Sequence, residues 1–495
     1  MGGIITTHAA LLPVEEHSAG AGQHTGQRTL VIFGASGDLS SRLLLPGLGS
    51  LLAGQRATSV RIIGTGRSPL AADEWTDRVR SAFASVARES DGTAATRGEI
   101  GPVAAETLAT TEYVAGDPTD TDHLRALLEL AGPAPVLYFS LPPAVTTAIV
   151  AKLREVELPE GTELAFEKPF GTDAASAAAL NQLVGSFIPE ENVHRVDHFL
   201  GRTAVLNLIG LRFANRLFEP VWNAEHIESV EIVYDETLGL EGRAQYYDNA
   251  GALVDMIQSH LLLVLALLAM DAPATMDAVE VRSEMARALR STHLYRGSAI
   301  EAGRRARYTA GIADDRVVPA YADEAGVDRD RATETLAEVT VELDTNRWAG
   351  VPFTLRSGKA LGVARKEIVI KFKPLRHLPS GLNGARDGET LRIGLNPGEL
   401  SLSVPALGVD GPYTMGQVFL DATLPSSPVL PYGEVLSGIL RRDPLLSVRG
   451  DVAERCWEIV EPVLTAWRAG EVPLEEYEAG SDGPADWQES TESAA

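Results

Sequence analysis

Apolar positions along this chain fall into two textures. From residue 29 to about residue 200 they come as short continuous runs closed by glycine or proline. Leu30-Val31-Ile32-Phe33 stops at Gly34, Val60-Arg61-Ile62-Ile63 at Gly64-Thr65-Gly66, and Val136-Leu137-Tyr138-Phe139 at Leu141-Pro142-Pro143. Tyr113-Val114-Ala115 and Leu164-Ala165-Phe166 are of the same kind, the latter ending at the Pro169 turn. Such runs predict short buried strands. Leu39–Leu52 and Trp75–Val86 read as helices between them. Alternating strands and helices predict right-handed βαβ units on a parallel sheet.

After about residue 200 the texture changes. Val230–Tyr234, Ala337–Leu343, Glu367–Phe372 and Leu391–Leu395 alternate partially, with fewer helices interposed. They predict a second, α+β domain on a largely antiparallel sheet. Gly251–Met270 predicts one long helix. The expected layout is a flexible tail over 1–28, an α/β domain over 29–200, the α+β domain over 201–482 and an acidic tail over 483–495. Ser481–Ala495, rich in Gly, Ser and acidic residues, is expected to fray. No internal repeat is visible.

Charge and cysteine content narrow the function classes. The 495 residues carry 43 basic and 68 acidic side chains, a formal net charge of −25. That argues against nonspecific binding to nucleic acid or an anionic membrane, and a phosphorylated ligand needs a local basic pocket. One cysteine, Cys456, allows no intrachain disulfide and reads as a packed helix residue, consistent with a reducing cytoplasm. Met1–Arg28 has no sustained apolar core, so no secretory signal is expected. The apolar run Leu261–Met270 is about half the length that spans a membrane.

Four segments carry candidate chemistry. Gly34-Ala35-Ser36-Gly37-Asp38-Leu39-Ser40 joins the first strand to the first helix with GxxGxxS spacing. Its glycines permit a tight turn and close approach of a pyrophosphate, although a plain strand-to-helix turn has the same pattern. After the second strand stands Arg67 with no neighbouring carboxylate, which suits the 2′-phosphate of NADP or a solvated surface. Glu167-Lys168-Pro169 follows a strand, and the proline biases Lys168 to an extended backbone that presents its ammonium at the sheet edge. Arg195-Val196-Asp197-His198-Phe199-Leu200-Gly201-Arg202 brings together a carboxylate, imidazole and guanidinium groups, as a phosphate and base site requires or as a polar linker also could. His260 is the candidate base; Asp255, five residues earlier, lies roughly 140° away on an α-helix. The histidines lack metal-ligand spacing, and neither a GK[ST] loop nor a GxSxG elbow is present.

In this order the segments resemble the glucose-6-phosphate dehydrogenase family, from about Thr29 to about Pro484. The resemblance also rests on Leu211–Asn215, Trp222-Asn223, Gly242-Arg243, Tyr246-Tyr247-Asp248, Gly251–His260, Val351–Lys359 and Tyr477–Ser481. It implies an N-terminal Rossmann dinucleotide-binding domain and a larger C-terminal domain on a mostly antiparallel sheet. It implies oxidation of C1 of glucose 6-phosphate to a lactone, the first step of the oxidative pentose phosphate pathway, with NADP as hydride acceptor and NAD as an alternative. By the same resemblance His260 is the general base and Asp197 its orienting carboxylate. Lys168, His198, Arg202, Glu236, Asp255 and Lys359 bind the sugar phosphate. Gly34, Ser36, Gly37, Asp38, Leu39, Arg67 and Lys168 face the coenzyme, no metal is implied, and a homodimer or homotetramer is expected.

The chain departs from the family at Ser41, Phe199, Arg202, Thr203, Ser259, Ala364, Gly394 and Asn396. Gly394 stands where an extra structural NADP site of some animal enzymes has an arginine. The changes around the phosphate leave open a related sugar substrate, or a catalytically idle sugar-phosphate sensor.

Overall fold

The computed structural model describes residues 27–54, 59–86, 100–242, 244–384, 388–408 and 411–487. The first apolar runs form β1 (Arg28–Phe33), β2 (Val60–Gly66), β3 (Glu112–Ala115), β4 (Val136–Phe139) and β5 (Glu163–Glu167). With β6 (Val193–Val196) they make a parallel sheet in the order β3-β2-β1-β4-β5-β6. That is the Rossmann order, and its ligand crevice lies beyond the carboxyl ends of β1 and β4, where the order reverses. β6 carries no apolar run, because His194 and Arg195 are buried in it. His194 Nδ1 lies 2.8 Å from Ser447 Oγ, and Arg195 donates to Glu190 at 2.8 Å and Asn181 at 3.0 Å.

The second half builds one ten-stranded sheet. Its members are β7 (Ile227–Asp235), β8 (Thr292–Leu294) and β9 (Gly303–Thr309), followed, after a separate small hairpin of β10 (Gly311–Ala313) and β11 (Arg316–Val318), by β12 (Leu336–Leu343) and β13 (Phe353–Gly358). β14 (Lys366–Phe372), β15 (Thr390–Gly394), β16 (Glu399–Leu407) and β17 (Met415–Thr423) follow. β18 (Ser447–Val448) and β19 (Leu474–Glu478) are the last strands. The large sheet runs β17-β16-β15-β14-β7-β13-β12-β9-β19, with β8 beside β12. Most of its pairs are antiparallel; β7–β13 and β9–β19 are parallel.

Three boundaries differ from the sequence expectation. Arg28 belongs to β1, paired with Val60, and its guanidinium donates to the Ala134 carbonyl at 2.9 Å. Ordered chain continues through Ser481 to Trp487, because the Trp487 indole is buried and donates to Glu475 at 3.0 Å. The Rossmann sheet also takes β18 as an antiparallel edge beside β6, and the helix Pro431–Arg441 shares a core with the helix Leu45–Ala53. The late chain therefore closes over the first domain. The remaining parts of both expected tails, and Arg243, lie outside the described residues.

The expected long helix is a composite. Gly251 has φ 67° and interrupts it; Leu253–Leu261 is π-helical and Leu262–Ala269 is α-helical. Every residue from Ile257 to Ala269 is buried, as an apolar surface all round requires. The span Tyr246–Ala269 is long and apolar enough to cross a membrane, and 89% of its apolar 18-residue window is buried inside the protein. Its last carbonyls, out of reach of water, need donors. Arg212 donates to the Leu267 and Met270 carbonyls at 2.7 and 2.6 Å. Trp222 donates to Leu268 at 3.0 Å and Trp348 to Ala269 at 2.8 Å. The motifs around Arg212 and Trp222 thus anchor the helix that bears His260.

Candidate active site

Asp197 leaves the end of β6 and His260 comes from the π-helical turn of the second domain. The His260 Nδ1–H donates to Asp197 Oδ1 at 2.6 Å across 63 residues of sequence. Both groups are buried, and the Phe199 amide also donates to Asp197 Oδ1, at 2.9 Å. With Nδ1 held as a donor, Nε2 is the acceptor left to take a proton. The Phe199 ring lies 4.1 Å from the imidazole at 13°, and the Arg202 guanidinium lies 4.4 Å from the Phe199 ring centre. A guanidinium, a benzyl ring and the imidazole are therefore placed in one stack. The departures Phe199 and Arg202 are adjacent members of it.

Electrostatics suit proton abstraction. Burial lowers the His260 pKa below its ordinary 6.5, and the attraction of Asp197 does not fully offset it. The imidazole is neutral at pH 7. Burial alone would raise the Asp197 pKa; His260, His198 and Lys168 outweigh it and hold the carboxyl at about 2. Burial also drives the His198 pKa well down, with His260 adding to the effect.

The ligand-binding candidates form two pairs near this dyad. Lys168, at the end of β5, donates to the Asp255 carbonyl at 2.6 Å and to its carboxylate at 3.1 Å. Burial opposes the Lys168 charge, but Asp255, Tyr246 and Asp197 raise its pKa overall. Burial likewise disfavours the Asp255 carboxylate, yet Lys168 and Lys359 lower its pKa. Lys359 donates to Glu236 at 2.8 Å, and its ammonium lies 5.2 Å from the Tyr247 ring centre. His198 meets the edge of His260 at 4.8 Å and stacks on Tyr432 at 5.4 Å.

Asp255 and His260 are nearer one face than α-helical spacing allows. The turn is π-helical, and i→i+5 hydrogen bonding sets residues five apart nearly above one another. Arg195, grouped with the site by sequence proximity, is instead bound to Glu190, Asn181 and the Val448 carbonyl. Ser259 Oγ is buried without a partner among the described residues. Scattered in sequence, Asp197, His198 and His260 nonetheless bring ligand atoms within 4.8 Å, a set that could hold a metal ion. In the present geometry two of these donors are joined to each other by the Asp197–His260 bond.

Two site residues gave no signal in the sequence. Tyr432 starts a helix far along the chain and reaches back to stack on His198 and donate to Glu167 at 3.3 Å. Burial raises the Glu167 pKa to about 7, although Tyr138 and Tyr432 hydrogen-bond it. Arg78 donates to the Ser36 carbonyl at 3.0 Å and so braces the first glycine turn. A basic residue in an amphipathic surface helix is otherwise an ordinary solvated side chain.

That turn fits a dinucleotide. Gly34 has φ 80°, and a Cβ there would lie 2.4 Å from the Ser140 carbonyl oxygen beside β4. Ser40 Oγ donates to the Gly34 carbonyl at 3.2 Å and Ser41 Oγ to Gly37 at 3.2 Å. Ser36, Asp38 and Arg67 are exposed, while Gly37 and Leu39 are half-buried. A cleft of about 960 Å³ lies on the other face of the large sheet, lined by Glu231, Arg304, Glu338, Arg356, Arg365 and Trp487, and none of the dyad enters it.

Family models of glucose-6-phosphate dehydrogenase match almost the whole described chain. The NAD binding domain covers residues 31–207 and the C-terminal domain 209–495. The chain belongs to the glucose-6-phosphate dehydrogenase family. It is 40% identical to glucose-6-phosphate 1-dehydrogenase of Gluconobacter oxydans, over 92% of this chain and 94% of that protein. The enzyme of the same name from Zymomonas mobilis is 36% identical, with 92% and 96% covered. A crystal structure of glucose-6-phosphate 1-dehydrogenase from Mycobacterium avium superposes with a TM-score of 0.80 at 31% identity, covering 94% and 96%. A glucose-6-phosphate dehydrogenase in complex with glucose 6-phosphate gives 0.82 at 27%, with the same coverage. A 3-ketoreductase from Actinomadura kijaniata, at 14% identity and a TM-score of 0.51, shares the fold alone.

Proposed function

We propose that this chain oxidises C1 of glucose 6-phosphate to 6-phosphogluconolactone. The observation that carries the reading is the buried Asp197–His260 pair, with Lys168 and Asp255 beside it and the glycine turn at the switch point of the neighbouring sheet. NADP, when bound, supplies the hydride acceptor; Gly34, Ser36, Gly37, Asp38, Leu39 and Arg67 are the residues that would hold it, with Lys168 between coenzyme and sugar. His260 Nε2 takes the proton of the C1 hydroxyl as the C1–H bond breaks with its electron pair. The C1–O bond becomes a carbonyl and the sugar leaves as the lactone. Asp197 stabilises the imidazolium that forms. Lys168, Asp255, Glu236 and Lys359 orient the sugar, and His198 and Arg202 hold its phosphate.

Following nicotinamide reduction with glucose 6-phosphate tests the reading directly. Turnover with NADP is expected; a folded sample inert with both NADP and NAD would sink it. The Phe199–Arg202 stack favours a phosphate site built on one guanidinium, so mannose 6-phosphate, galactose 6-phosphate and free glucose belong in the same assay.

Coenzyme choice rests on Arg67. It is exposed beyond β2, where a guanidinium can meet a 2′-phosphate. Arg67→Ala is expected to raise the KM for NADP by about 10- to 100-fold, the cost of a lost charged hydrogen bond, and to leave NAD unaffected. Equal changes for both coenzymes would place the 2′-phosphate elsewhere.

A cytoplasmic homodimer or homotetramer is part of the same proposal. β17 ends the large sheet, and Val418, Phe419 and Leu420 on it are 40%, 61% and 56% exposed. An apolar, unpaired edge is a liability unless it is covered, and a second copy would cover it. Light scattering after size exclusion reads the mass.

A further inference from the structure

We infer that Glu334 is a positioning residue that sets the register between the general base and the sugar-binding lysine. The inference builds on the proposed dehydrogenase reading. Glu334 lies just before β12, is buried, and sends its carboxylate to the first turn of the helix that carries His260. Its Oε1 accepts the Leu253 amide at 3.0 Å, and its backbone carbonyl accepts the Ala252 amide at 3.4 Å. Two of the orphan amides that open this buried helix are thereby satisfied. The neighbour on one side, Thr333, donates its hydroxyl to the Asp248 carbonyl at 2.7 Å.

The neighbour on the other side ties down Lys359. The Thr335 carbonyl accepts the Lys359 amide at 2.9 Å. A side-chain relay repeats the connection. The Tyr308 amide donates to Thr335 Oγ1 at 3.0 Å, Thr335 Oγ1 lies 2.9 Å from the Tyr477 hydroxyl, and Tyr477 donates to the Lys359 carbonyl at 2.7 Å. Residues 333–335 thus grip the base helix at its start and Lys359 at the same time.

Gly251 shows how closely this contact is fitted. A Cβ there would lie 2.2 Å from Glu334 Oε1, so the glycine admits the carboxylate to the helix end. Burial raises the Glu334 pKa to about 7, and the Leu253 amide, Arg305 and Arg468 only partly oppose it. The Leu253 amide is the helix's donor to the side-chain carboxyl, while the Ala252 amide goes to the backbone carbonyl. Glu334 touches neither the dyad nor the coenzyme turn, which is what separates positioning from catalysis here.

Glu334→Ala is expected to lower kcat about 10- to 100-fold and to raise the KM for glucose 6-phosphate, because a base displaced by a fraction of an ångström loses alignment. NADP affinity stays unchanged, which also reports that the variant is folded. The isotope effect on kcat with C1-deuterated substrate rises, as hydride transfer becomes limiting. Glu334→Gln keeps the acceptor oxygen, and amide caps serve about as well as carboxylate caps, so it restores both constants. If Glu334→Ala fails to bind coenzyme, Glu334→Asp, with its shorter reach, is expected to show the same split. A folded Glu334→Ala with wild-type kcat, KM and isotope effect would overturn the inference, as would a Gln variant as impaired as Ala. The low-field NMR signal of the His260 Nδ1 proton gives a reading without turnover: it is expected to shift or broaden in Glu334→Ala, and an unmoved signal counts against the inference. Failure of the wild-type protein to oxidise any sugar phosphate bears on the activity alone, and the NMR comparison still decides the positioning role.

Discussion

His260→Ala is expected to lower kcat by about 10²–10⁴-fold, the range for a lost general base, with little change in the KM for either substrate. The imidazole contributes no contact that the coenzyme turn depends on, so ground-state binding survives its removal. What disappears is the acceptor at Nε2, which the Asp197 bond leaves open by fixing the proton on Nδ1. The pH profile adds a second signature. Because burial lowers the His260 pKa, the wild-type rate falls only as pH drops below 6.5, when the imidazole gains a proton and can no longer accept one. The alanine variant lacks that acid limb. Steady-state rates from pH 5 to 9 with glucose 6-phosphate and NADP check both features. Near-normal turnover, or an unchanged acid limb, would mean that the proton leaves by another route.

Asp197→Asn produces the second large loss. An asparagine oxygen can still accept from Nδ1 and from the Phe199 amide, so the fold and the ring position persist. The charge is gone, however, and the imidazolium that forms during the reaction loses its counter-ion. Neutralising the orienting carboxylate of a comparable base–carboxylate pair costs up to about 10⁴-fold in kcat. A loss of about 10²-fold or more is expected here, with NADP affinity unchanged. The Asp197 carboxyl is held at about 2, so Asp197 keeps its charge through the whole working range of pH. An Asn variant within a few-fold of wild type would demote Asp197 to a structural role.

How far the sequence speaks for this fold depends on burial. β1, β2, β4 and β5 are legible because strands covered on both faces are apolar throughout. β6 is not, since His194 and Arg195 are buried against partners that lie far away in sequence or on other elements. β16 and β17 are hidden for the opposite reason: solvent on both faces leaves no alternation to read. In the site, Asp197 and His260 could be paired only through the family resemblance, because nothing local joins residues 63 apart. Asp255 and His260 lie nearer one face than their α-helical spacing predicts, because hydrophobic spacing does not distinguish a π-helical turn from an α-helix. Arg195 stood next to the right residues and was bound to the wrong ones.

The π-helical turn also makes chain length part of the catalytic apparatus. Leu253–Leu261 reaches His260 by a wider turn than the α-helix that continues it. Loss of one residue between Gly251 and His260 would let this stretch wind as an ordinary α-helix. The wider turn would be lost, and with it the placement of Asp255 near the face of His260. The downstream end cannot turn to follow, because Arg212, Trp222 and Trp348 hold its carbonyls. Many substitutions in the apolar part of this helix can be absorbed by repacking, whereas a single-residue gap cannot. When relatives of this chain are aligned, a gap between these two positions is therefore a sign of lost dehydrogenase chemistry even where both Asp197 and His260 are still spelled out.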